Sequence, residues 1–128
     1  MPYGTLAIDT LNASTGVLAV RNGMTGIPKA WVRFVGATSS IYGSFNVSSI
    51  TRNGTGDYSI NFTTATPNAN YAVTGTTGDT GGVASSTPTY LRPCGYTTTY
   101  VRVGVGYSSS GTQALFDYDS ISVAIIST

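Results

Sequence analysis

The stretch 44–64, SFNVSSITRNGTGDYSINFTT, leaves this chain few ways to fold. Phe45 and Val47 alternate with Asn46 and Ser48, and Tyr58, Ile60 and Phe62 alternate with Ser59, Asn61 and Thr63. Successive side chains of a strand point to opposite faces, so each half has one apolar and one polar side. Between the halves, Asn53-Gly54 and Gly56-Asp57 tolerate positive φ and let the backbone reverse. The stretch predicts a β-hairpin.

The same period recurs along the chain. Residues 30–35 read as a central strand, with Trp31, Arg33 and Val35 on one face and Val32 and Phe34 on the other. Ser39-Ser40 and Gly43 mark bulges or turns around Ile41-Tyr42. A strand starts at Tyr71-Ala72-Val73 after the turn at 67–70. In 98–107, Thr99, Val101, Val103 and Val105 oppose Tyr100, Arg102, Gly104 and Gly106. The chain turns at 108–111, returns through 114–118 and ends in a strand at 121–126. No window shows helical spacing. Thr, Tyr, Val and Ile suit a pleated surface, and the Glu and Lys of exposed helices are nearly missing. These features predict an all-β fold, a β-sandwich or jelly-roll-like domain of about seven to nine short antiparallel strands.

Residues 1–28 differ from the rest. Their apolar pieces, 5–8 and 17–20, are too short to make a sheet alone. They are expected to form an extended N-terminal arm for docking or trimerisation, with Tyr3, Leu6, Ile8 and Leu11 as the docking residues. The β-sandwich domain is expected to span 29–128, after the break that Pro28 imposes.

Little side-chain chemistry is available for catalysis. Five Asp are the only carboxyl side chains and His is absent, whereas acid–base work near neutral pH recruits His or a tuned carboxylate. Asp117 and Asp119 would share a face of a continuing strand, but Asp119 reads better as the start of a turn, and paired glycosidase carboxylates also need a cleft. Asn53 and Asp57 offer too few oxygens for calcium and read as a turn, with Arg52 beside them a solvated residue or an intersubunit partner. GDTGG at 78–82 opens no helix and is not a phosphate loop. The single Cys94 rules out an intrachain disulfide and reads as a small buried apolar residue. No cofactor is expected. A net charge of +1 gives no case for nucleic acid, and no apolar run is long enough for membrane insertion.

What remains is surface suited to recognition. The polar, Gly-rich stretch 76–88 reads as the longest loop, and Asp79 within it, with Tyr90, Arg92 and Tyr96 just after it, forms the candidate partner-binding set. Tyr100 is expected to stand beside them. Tyr and Arg give contact area with a polar handle, and rings beside Asp or Asn also suit sugars.

Lys29-Ala30-Trp31-Val32-Arg33-Phe34 and the run 44–75, with Asp119-Ser120-Ile121-Ser122-Val123 near the end, resemble a β-domain found at the C-terminal ends of tailed-bacteriophage fibres and other virion surface proteins. The resemblance covers roughly 29–75. It implies a non-enzymatic structural protein displayed on the virion as a short homotrimeric fibre, knob or decoration, either a tail fibre or a head decoration. The arm would hold other virion proteins, and the outer end would meet a host surface glycan or protein. Apolar residues on both faces of the 30–35 and 121–126 strands agree with a homotrimer, because they exceed what one small sandwich needs. The start of the chain lacks a signal peptide, as expected of a protein made in the host cytoplasm. The other reading is a carbohydrate-binding module that engages host surface glycans.

Overall fold

The computed structural model describes residues 28–79 and 87–127. The docking residues Tyr3, Leu6, Ile8 and Leu11 lie outside the described residues, as does the rest of the arm up to Ile27. The described residues are all-β, with nine strands: β1 Pro28–Phe34, β2 Ile41–Phe45, β3 Val47–Gly54, β4 Asp57–Phe62, β5 Ala72–Gly78, β6 Thr89–Tyr96, β7 Tyr100–Ser109, β8 Thr112–Leu115 and β9 Ser120–Ile126. Every pairing is antiparallel. One sheet runs β2-β1-β9-β5, and the other runs β3-β4-β7-β6 with β8 also on β7.

The period-two pattern places the core between the sheets. Ala30, Val32 and Phe34 from β1 and Ile121, Val123 and Ile125 from β9 are buried on one side. Tyr58, Ile60 and Phe62 from β4 and Val101, Val103 and Val105 from β7 are buried on the other. Burying such side chains stabilises by roughly 1.5–3 kcal/mol each. Phe34 and Tyr58 meet edge to face across the gap, their ring centroids 5.1 Å apart.

The hairpin forms as β3–β4 but does not use the whole 44–64 stretch. Ser44 and Phe45 belong to β2 in the opposite sheet, where Phe45 pairs with Trp31. Asn46 makes the break. Its φ is 54°, a left-handed conformation that Asn tolerates better than most side chains. Its amide nitrogen donates to the carbonyls of Lys29 at 3.1 Å and Thr64 at 3.0 Å, and its amide oxygen accepts the Thr64 N–H at 2.7 Å. The chain thus crosses between sheets at one hydrogen-bonded residue. The reversal itself falls at Thr55-Gly56, with Gly56 at φ +65°, while Asn53 sits at an irregularity in β3.

Three further expectations change. β5 continues through Gly78 because Thr76, Thr77 and Gly78 pair with Ser122, Ile121 and Ser120, so the connection to β6 starts at Asp79 rather than Thr76. The strand after the 110–111 turn stops at Leu115, before Phe116 to Tyr118, because Asp117 is drawn onto the β3–β4 turn. The outer face of β9 carries Ser122 and Ala124 with a half-buried Ile126, so it holds little of the expected apolar surplus. That surplus sits on β1 and β2, where β1 is an inner strand as its two-faced pattern predicts.

Replacing Asn46 by Ala removes the amide's hydrogen bonds and leaves a side chain that disfavours positive φ. The expected loss of stability is about 2–3 kcal/mol. Asn46→Gly should lose less, because glycine accepts the backbone angle. Urea unfolding of both variants checks the order.

Candidate functional site

The candidate residues at 79–96 are only partly brought together. β6 is an edge strand of its sheet, which is where a strand tolerates Pro93. Tyr90 and Arg92 pair with Gly106 and Gly104, on the outer face of β7. A Cβ at Gly106 would stand 2.7 Å from the Tyr90 hydroxyl, so the missing side chain makes room for the tyrosine. That hydroxyl donates to the Ala114 carbonyl at 3.4 Å, and the Arg92 guanidinium lies 5.8 Å from the Tyr90 ring centre.

A register shift between Pro93 and Gly95 then reverses the alternation. Tyr96 consequently pairs with Val101, on the core side of the sheet, and tilts against Tyr71 at 5.4 Å. Tyr96 is therefore separated from Tyr90 and Arg92 by the sheet itself. Tyr100 pairs with Asn61, on the outer face and toward the far end of β7. Cys94 occupies the shifted position and is exposed rather than buried, its thiol 3.6 Å from the Arg102 carbonyl.

Asp79 is exposed just past the end of β5. It stands near an aromatic string in which Tyr107, Phe116 and Tyr118 meet edge to face at 6.1 and 4.9 Å. Burial raises the Tyr118 hydroxyl pKa above its ordinary value, and the negative charge of Asp79 adds to the effect. Residues 80–86 of the expected loop lie outside the described residues.

Asp117 has a role that the sequence reading did not find. Its Oδ1 accepts the Gly56 N–H at 2.8 Å and the Tyr58 hydroxyl, and its Oδ2 accepts Arg52 at 2.5 Å. Arg52 is thus an ion-pair partner within the chain, although its side chain stays 37% exposed. Burial would raise the Asp117 pKa, but the donors from Arg52, Gly56 and Tyr58 outweigh it and hold the carboxylate below its usual range. Tyr58 moves the other way: burial and the Asp117 carboxylate together push its hydroxyl well above the ordinary value. Asp119 is exposed and makes none of these contacts.

Asp57 is held similarly. Arg102 binds it in a fork, at 2.8 Å to Oδ1 and 2.5 Å to Oδ2, which lowers its pKa. Asn53 points its amide N–H at Asp57, 3.3 Å, and at Ser59, 3.0 Å, and so presents donors where calcium would need oxygens. No group of three or more His, Cys, Asp or Glu residues that could hold a metal occurs among the described residues.

A second surface lies on the outer face of the β2-β1-β9-β5 sheet. Trp31, Tyr42 and Phe45 are 41%, 60% and 52% exposed. Trp31 and Phe45 are register partners, and Arg33 pairs with Gly43. The indole reaches over Gly43, where a Cβ would sit 3.4 and 3.5 Å from two ring carbons. Arg33 donates from Nε to Ser120 at 3.0 Å, and its guanidinium lies 5.0 Å from the Tyr42 ring centre. The Trp31 and Arg33 alternation pointed to this face, but the register that adds Phe45 and Tyr42 is a tertiary fact.

Comparison with known protein families, characterised proteins and solved structures finds no match for this chain.

The Asp117 carboxylate has a folded pKa below that of the unfolded chain, so its contribution is present above about pH 4 and is lost as pH falls through the folded value. Thermal melts from pH 6 downward should show the native chain losing stability in that acid window. Asp117→Asn should be less stable at neutral pH by about 2 kcal/mol, from weakened bonds to Arg52 and Tyr58, and should show a flatter acid limb. Parallel acid limbs for the two proteins would refute the assignment.

Proposed function

We propose that the chain is a non-enzymatic structural protein of a tailed-bacteriophage particle, displayed on the virion as a short homotrimeric fibre, knob or decoration. The observation that carries this reading is the resemblance of 29–75 to a virion surface domain. The matching segments fall on β1 to β5, including the corner at Asn46 and the β3–β4 hairpin. The reading is supported further by the carboxylates. Asp57 and Asp117 hold strands and turns in place through Arg102, Arg52 and Tyr58, a structural use of these groups.

Self-association needs an apolar contact, and Leu115 and Phe116 offer one at the end of β8. They are 45% and 44% exposed, beside the Arg52–Asp117 ion pair. A threefold contact there would bury apolar surface against an equivalent copy and leave the outer face of the β2-β1-β9-β5 sheet open. Sedimentation of the full chain should give three times the 13.2 kDa chain mass, and Leu115→Asp should reduce it to that of a single chain. A native chain that stays monomeric at micromolar concentration rules out the trimer.

In this reading residues 1–27 dock on other virion proteins, and Tyr90 with Arg92 faces the host. Arg92→Ala should change stability by no more than about 0.5 kcal/mol, as exposed positions do. Adsorption of particles that carry Arg92→Ala falls for a receptor-binding tail fibre and is unchanged for a head decoration.

A further inference from the structure

We infer that the outer face of the β2-β1-β9-β5 sheet is a binding site for an acidic saccharide, a pyranose ring that carries a carboxylate. The site is Trp31, Tyr42 and Phe45 with Arg33 between them, on a different sheet from Tyr90 and Arg92. It stands apart from the virion reading and does not need a trimer.

Three features fit this ligand. The first is the stacking surface. Trp31 and Phe45 oppose each other across β1 and β2, and the indole extends over Gly43 of the neighbouring strand. The ring face carries partial negative charge, which attracts the slightly positive C–H edge of a sugar. The indole N–H has no hydrogen-bond partner among the described residues, and it can donate to a sugar hydroxyl.

The second feature is charge. Arg52 and Arg102 are each matched to an aspartate, but Arg33 makes no ion pair among the described residues. β1, β2, β9 and β5 carry no carboxylate, and their charged side chains, Lys29 and Arg33 of β1, are both positive. A guanidinium whose Nε is tied to Ser120 and whose plane lies beside Tyr42 is positioned in advance, with its terminal N–H groups available to a carboxylate.

The third feature is spacing. Trp31 and Arg33 are two residues apart on one face of a strand, about 6.6 Å by strand rise. A sugar ring over the indole therefore brings its carboxylate within reach of Arg33. A face of exposed rings beside a cation suits a stacked ring better than a peptide, which needs pockets for alternate side chains.

Trp31 is the only tryptophan of the chain, so its emission reports on this site directly. The full chain is titrated with an oligogalacturonate, with sialyllactose, with lactose as the neutral sugar, and with an acidic decapeptide. The expected result is a saturable change in emission with at least one acidic sugar and a weaker response to lactose. The two acidic sugars distinguish a uronate from a sialate. Arg33→Gln should weaken the acidic sugar by about tenfold or more and leave lactose unchanged, as expected when one charged hydrogen-bonding group is lost. Phe45→Ala should weaken both while the circular dichroism spectrum stays native. Several outcomes overturn the proposal: no saturation with either acidic sugar, equal response to acidic and neutral sugars, saturation with the peptide alone, or an emission change that tracks protein concentration without ligand. The last would make this face a contact between copies of the chain.

Discussion

The carboxylate of Asp117 joins parts of the chain that no continuous strand connects. It sits just after β8, yet its acceptors hold the Gly56 amide, the Tyr58 hydroxyl and the Arg52 side chain of the β3–β4 hairpin. The Tyr58 ring then reaches the core and meets Phe34 of the opposite sheet. Gly56 in turn accepts the Val105 N–H at 2.7 Å, and Val105 accepts the Phe116 N–H at 3.1 Å. The hairpin turn, the end of β8 and β7 are therefore fixed relative to one another by this acidic group together with the Gly56–Val105–Phe116 backbone bonds. A buried tyrosine hydroxyl needs a partner, and this carboxylate supplies it.

Two other local devices decide which side chains face where. Asn46 ends one sheet and starts the other, so Phe45 stands outside while Val47 packs at the edge of the core. The irregularity at Cys94 turns Tyr96 toward the core side just after Arg92 has pointed outward. A one-residue displacement inverts a strand's whole facing pattern, so each device sets the composition of an exposed surface. Trp31, Phe45 and Tyr42 on one sheet, and Tyr90 with Arg92 on the other, are the surfaces that result.

Much of the fold was legible because strand alternation is local. The valines of β7, the Tyr58-Ile60-Phe62 run and the inward Val32 and Phe34 all face the core as their spacing implies. The character of Asn46 was not legible, since asparagine in an alternating run gives no sign that its φ will be positive. The Cys94 irregularity was hidden for a similar reason: Pro93-Cys94-Gly95 signals an interruption but not which way Tyr96 will turn. The partner of Arg52 lies 65 positions away, and no sequence period links them. The same holds for Trp31 and Phe45, which meet only because β2 folds back on β1. Of the candidate recognition residues, Tyr90 and Arg92 stayed together because they precede the irregularity.

The two sides of the sandwich differ in how much chain joins the sheets. On one side β2 passes to β3 through Asn46 alone, and on the other β5 passes to β6 through 79–88, with Ser108 holding the Pro88 carbonyl at 2.9 Å. A connection of one residue has no slack. Any gain or loss of length at Asn46 must be absorbed by sliding β2 along β1 or β3 along β4, which would turn an outer row of side chains inward. The side closed at Asn46 therefore holds β2 and β3 in fixed register, and a change in chain length is better absorbed in the longer connections between the sheets, such as 63–71 between β4 and β5.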